Sequence, residues 1–290
     1  MDFQLPIPIS KYSLHHLLVI LSVTIVTGCN SWTSRSSDYT KPNLPQLSES
    51  SKSMVLEVEF LPIEANLAQT DGLASLWQWA DETVLENQIR KDWLNNGLRI
   101  GRVLDEQKIR QQLDVIRSSE TAVDQFLVKA KVASDVGHGV ERVPMRWGRR
   151  YELPARQPLA GERVTLLRLN EQTTGQTLTD PQFLFAMTAT PGIYPKQASL
   201  RLRPEIQHGH MKQKWVSSDN ALRMDHRRDT WSLKELEWEL TGKEGDMFII
   251  SGVLPIRGVG GQMLSGISAD QKEHLVVLLL KLAKVPAVTE

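Results

Sequence analysis

The chain has one cysteine among 290 residues, four tyrosines, six phenylalanines and no net charge, its thirty-four basic residues matching thirty-four acidic ones. Each shortage removes a class of function. A single thiol cannot close an internal disulfide, and no Cys-x-x-Cys pair exists to hold zinc or run redox chemistry. A neutral chain lacks the uncompensated basic face that a phosphate backbone selects, so nucleic acid is not an expected partner. There is no Gly-x-Ser-x-Gly elbow and no His-Glu-x-x-His. Gly258-Val259-Gly260-Gly261 lacks the Lys-Ser/Thr of a phosphate loop and reads as a hairpin tip or bulge. No repeat of solenoid period and no heptad run is present.

An apolar stretch at residues 17–28 is too short to cross a bilayer as a helix, which takes roughly 20 apolar residues. Its length suits a secretory signal segment, although the flank is thinly charged, with Lys11 set against Asp2. The stretch ends in Val26-Thr27-Gly28-Cys29, which resembles the bacterial lipobox: an aliphatic residue, two small ones, then the cysteine that receives lipid. The resemblance implies that Cys29 is the acylated first residue of the mature protein. The body would then lie outside the cytoplasm, anchored to the bacterial cell membrane or the outer membrane. Each buried methylene contributes about 0.8 kcal/mol, so two or three acyl chains hold firmly where one is marginal. Residues 30–53, rich in Ser, Thr and Pro, read as a leash with a root-mean-square reach of roughly 27 Å.

The remainder predicts an α+β fold in two parts, a small β-α-β-α unit at 54–120 and a larger antiparallel, sandwich-like β-rich domain at 121–290. Residues 55–61 alternate apolar and acidic side chains as a half-buried strand does, and Pro62 closes it. Leu73, Leu76, Trp77, Ala80 and Val84 share one helical stripe. Leu85, Ile89 and Trp93 lie on the opposite side, which requires either a break near 82–86 or burial on two faces. Gly97 suits a left-handed cap, residues 98–103 form a second strand, and Asp105 can cap a helix carrying Ile109, Leu113 and Ile116. Trp77, Trp93 and Trp238 fit core stripes, whereas Trp79 departs from its neighbours' face and suits an exposed or interface position. Farther on, short runs at 126–132, 163–169, 183–189, 198–206, 232–240, 247–253 and 275–282 are separated by turn-forming residues, the pattern of antiparallel strands. The last run could equally be a buried helix on periodicity alone; the strand is preferred.

Leu200-Arg201-Leu202-Arg203-Pro204-Glu205-Ile206, then Glu244-Gly245-Asp246-Met247-Phe248-Ile249-Ile250-Ser251-Gly252, then Glu273-His274-Leu275-Val276-Val277-Leu278-Leu279-Leu280 are similar to the closing strands of the bacterial secretin β-domain. That family's gate segment is replaced here by Leu254-Pro255-Ile256-Arg257-Gly258-Val259-Gly260-Gly261. The resemblance therefore implies a secretin-like β-fold in an accessory envelope protein rather than a pore.

Two surfaces carry candidate chemistry. Arg142, Arg146, Arg149, Arg150 and Arg156 surround Trp147, and Arg with Trp is a combination enriched at binding hot spots. Trp147, Arg149 and Arg150 are thus the candidate site for an envelope protein or a cell-wall polymer. Local cation-π stacking is the structural reading of the same residues. His208 and His210 would share one strand face, and with His226 they form a candidate zinc-like site. Exposed polar residues are the plain alternative. Arg223, His226, Arg227 and Arg228 make a further basic cluster diluted by Asp225 and Asp229. The expected function is a membrane-tethered, non-catalytic binding, scaffold or assembly role, without cofactor. The competing expectation is a metal-dependent envelope enzyme using His208, His210 and His226.

Overall fold

In the computed structural model, residues 52–65, 72–117, 139–218, 221–267 and 273–286 are described. Residues 275–280 belong to a strand, β14 (Glu273–Lys284), and not to a helix. Six consecutive apolar residues suit a strand buried on both faces. Val276, Leu278, Leu280 and Leu282 enter one core cluster, while Leu275, Val277 and Leu279 enter a second one on the other face.

Around β14 stands an antiparallel sheet with β1 (Ser53–Glu64), β2 (Ala80–Asp81), β3 (Leu98–Val103), β4 (Gly139–Arg146) and β12 (Met247–Gly252), in the order β2-β3-β12-β14-β1-β4. The short β13 (Ser265–Ile267) pairs with β14 off that path. A second antiparallel sheet contains β5 (Arg150–Pro154), β8 (Gln182–Pro191), β9 (Gln197–Ser218), β10 (Ala221–Ser232) and β11 (Trp238–Lys243). The strands β6 (Glu162–Leu169) and β7 (Gln172–Thr179) pair as a hairpin.

Side-chain alternation stacks these layers. Leu56, Val58, Ile100, Phe248 and Leu278 of the first sheet share a core with Phe183, Phe185, Leu200, Leu202 and Leu240 of the second. On the first sheet's other face, Ile63, Ile249 and Leu279 pack with α1 (Leu73–Leu76), Trp77 and the Ile109, Leu113 and Ile116 stripe of α3 (Glu106–Arg117). The fold is α+β and mostly antiparallel: helices, sheet, sheet. A further helix, α2 (Asn87–Asn95), joins the inter-sheet core through Trp93, which meets Trp238 edge to face at 4.9 Å and donates its indole N–H to Leu236 O at 3.1 Å.

Several local expectations hold. Gly97 has φ +79, Asp105 accepts the Lys108 amide at 3.0 Å, and Trp77, Trp93 and Trp238 are buried. Others are corrected. β1 runs through Pro62, opposite Val276, so proline does not close the strand; among the described residues its pairing with β4 extends as far as Phe60. The expected long helix breaks earlier than 82–86, because Ala80 and Asp81 become β2 and pair with β3. Trp79 is half-buried, packed against the helix-side core. The 232–240 run is interrupted by a 3-10 turn, Lys234–Leu236, which separates β10 from β11. The glycine run is not a hairpin tip but the helix α4 (Gly258–Leu264). A Cβ on Gly260 would lie 2.4 Å from Gly97 O, so glycine is what lets α4 approach the end of α2.

Residues 49–290 form one compact unit, and the boundary drawn at 120/121 falls inside it. The first sheet closes on strands from both sides of that line, since β1 pairs with β4 and β14. The secretin-like segments divide between sheets: 200–206 lies in β9, while β12 and β14 pair with each other. The 126–132 run, Cys29 and residues 30–51 of the leash lie outside the described residues, and the last leash position, Ser53, already belongs to β1.

Candidate functional site

The Trp147 surface sits on the turn between β4 and β5, made possible by Gly148 at φ +70. Trp147 is half-buried against the inter-sheet core, and its backbone N–H bonds Lys52 O at 3.0 Å. Arg149 is exposed. Arg150 is 38 % exposed but paired: its Nη1 and Nη2 grip Glu205 at 3.0 and 2.6 Å, and Nη2 also reaches Glu152 at 2.8 Å. Glu205 is 2 % exposed and also accepts from Arg203 at 2.8 Å and Ser232 at 3.2 Å. Burial pushes its carboxyl up, but the bonds and charges of Arg150 and Arg203 outweigh that and hold it below the ordinary carboxylate range. The same bond to Glu205, outweighing burial, raises the Arg150 guanidinium. Arg156 is buried and donates to Gln262 O at 2.8 Å and Ser265 O at 2.6 Å, capping the end of α4. Arg156 is therefore an internal fastener, and Arg150 is a partly exposed arginine tied to two carboxylates.

The three histidines do not converge. Gly209 between His208 and His210 has φ +72, which breaks the alternation that would have put both on one face, and the β9–β10 register slips there. His208 faces Asp229, whereas His226 faces Gln213, five residues farther along β9 and roughly 16 Å away. Among the described residues no three His, Cys, Asp or Glu side chains gather as metal ligands. The basic cluster beside them is also partly spent: Arg227 pairs with Asp225 at 2.9 Å, and half-buried Arg228 donates to Gly209 O at 2.9 Å and to Asp180 O.

Two clefts line the first sheet's rim. One, of about 460 Å³, lies between Trp77, Arg99 and the 252–255 segment, with the Arg99 guanidinium 4.3 Å over the Trp77 ring and bonded to Glu82. The other, of about 490 Å³, is lined by Arg156, Arg163, Arg257 and Gln262. Its polar groups are largely engaged already, Arg257 on Leu94 O at 3.0 Å and Gln262 on Thr165 at 2.7 Å.

The feature that sequence reasoning missed is an arm. β8 begins at Gln182, opposite Gln207; beyond that point β9 continues with β10 as a two-stranded ribbon whose residues 208–218 extend roughly 36 Å. Met211 and Trp215 on β9 are 67 % and 64 % exposed, and Met224 on β10 is 50 % exposed. Trp215 stands directly opposite Met224, and Gln213 opposite His226. Its signal in the sequence is the even spacing of Met211 and Trp215 within an otherwise polar run.

No protein-family model, no curated protein and no solved structure matches this chain.

Proposed function

We propose that the protein is a membrane-tethered envelope lipoprotein, held through an acylated Cys29, whose folded body has a non-catalytic binding or assembly role. The observation that supports this reading is the arm, because large apolar side chains left exposed together on one face mark an interaction surface. The arm's placement fits a tether. The described chain enters at Lys52, whose carbonyl bonds Trp147; the adjoining Gly148 bonds Ala189 O, and Ala189 pairs with Leu200. Trp215 lies fifteen residues farther along β9, roughly 50 Å from that corner. On this reading the tether joins the body at that corner, and the arm is left to meet partners.

Two measurements test this. Mass spectrometry of the mature amino terminus should find acylated Cys29, and a photo-crosslinker at position 215 should capture an envelope partner that one at exposed Val164 does not. Release from membranes in plain buffer, or a retained Met1, overturns the tether. Equal capture from both positions overturns the arm's role.

A further inference from the structure

We propose that the outward face of the arm binds a soft monovalent cation, Cu(I), through the thioethers of Met211 and Met224 and the imidazole of His226, with the Trp215 indole against the ion. Methionine is ordinarily a core-filling residue, and two of them half or more exposed on one ribbon face are out of place as packing. Trp215 stands opposite Met224 and Gln213 opposite His226, so these four share a face; Met211, which the register slip leaves without a paired residue, joins that face by alternation with Gln213 beyond the break at Gly209. Directly opposed residues such as Trp215 and Met224 have Cβ atoms about 5 Å apart, and diagonal neighbours about 7–8 Å, distances that long side chains bridge. An ion above His226 is therefore within reach of the sulfur on either side of it.

The donor set decides which ion. Thioether and imidazole ligands suit Cu(I), whereas hard cations need oxygen. The neighbouring carboxylates are engaged elsewhere: Asp225 pairs with Arg227 at 2.9 Å and Asp229 with Lys212 at 2.6 Å. Asp225 and its neighbours Arg227 and Lys212 alternate onto the opposite face. Trp215 adds an electron-rich ring, the surface that attracts a cation once ligands have stripped its water. Gln213 serves His226 as an orienting partner. Its amide nitrogen Nε2 lies 3.3 Å from His226 Nε2; a half-turn of the amide brings its oxygen there instead, to accept the Nε2 proton and leave Nδ1 as the donor to metal. The His226 backbone N–H is fixed by Asp225 Oδ1 at 2.9 Å. This inference goes beyond the tether and needs neither acylation nor a protein partner.

The test uses the full-length protein extracted in detergent, titrated anaerobically with Cu(I) against bathocuproine disulfonate. A parallel titration with Ag(I) follows the carbon-13-labelled methionine methyl signals. The expected result is one bound equivalent and movement of two methyl signals, those missing from Met211→Leu and Met224→Leu. Losing a direct ligand should weaken Cu(I) binding by more than the roughly 10–100-fold that second-shell changes cost, in the double leucine variant and in His226→Gln alike. Thermal unfolding of each variant checks that the body is intact. No retained Cu(I), or Cu(I) held equally by the double variant as a free Cys29 thiol would hold it, overturns the site.

Discussion

One strand lives in two environments, and β9 shows how differently the same pattern is used. From Gln197 to Ile206 it lies between β8 and the β10–β11 side, and Ala198, Leu200, Leu202 and Ile206 are buried against the first sheet. Past Gln207 the alternation breaks at Gly209 and then resumes, but among the described residues nothing in the register lies beside β9 except β10, and Met211 and Trp215 face solvent. In the body an apolar side chain stabilises the fold by leaving water. On the arm the exposed side chains make no such gain, so on the proposed reading they report on binding and the body's on stability.

Substitutions should separate the two regions sharply. Phe248 is fully buried in the inter-sheet core, and Phe248→Ala should cost about 3–5 kcal/mol in urea unfolding through lost burial and the cavity left behind. A loss under about 1 kcal/mol would mean that the two sheets do not share a close-packed interior.

An intermediate effect belongs to the ion pair at the junction of body and arm. Arg150→Ala leaves Glu205 with Arg203 and Ser232 and should cost about 1–3 kcal/mol. The pH dependence carries a definite sign. The folded carboxyl of Glu205 sits below its ordinary value of 4.5, so as pH falls the unfolded chain takes up the proton first and protonation favours unfolding. Its contribution is complete above the unfolded value and lost as pH drops through the lower folded one. Glu106, lowered chiefly by its bond from Lys281, acts in the same direction. In Arg150→Ala the acid-induced loss should be shallower, measured as unfolding free energy between neutral pH and about 3.5; a parallel curve would remove Glu205 from the account.

The smallest effect should come from the arm. Trp215→Ser, at an exposed position away from the core, should leave stability within about 0.5 kcal/mol by the same urea unfolding. A larger loss would show that the arm packs on the body and does not stand free to bind.

Much of the local structure was legible from the residues. The Gly97 cap, the Asp105 cap and the buried stripe of α3 depend on contacts within a few positions, and the strands around 183–189 and 247–253 carry enough apolar side chains to identify themselves. The candidate sites were less legible. Arg150 reads as a binding arginine until Glu205, 55 positions away, is placed beside it. His208 and His210 read as a pair until the positive φ of Gly209 and the register slip opposite Arg228 turn them apart.

By itself the sequence determined which side chains alternate, where the chain turns and where helices are capped, since these follow from steric preferences and hydrogen bonds among near neighbours. The tertiary structure decided what covers each face. Only long-range pairing could make 54–120 and 121–290 one unit, sink Glu205 between two arginines, fold the glycine run into a helix against Gly97, and leave Met211, Trp215 and Met224 uncovered. Periodicity states that a residue has a partner side; it is silent on whether the partner is another strand or water.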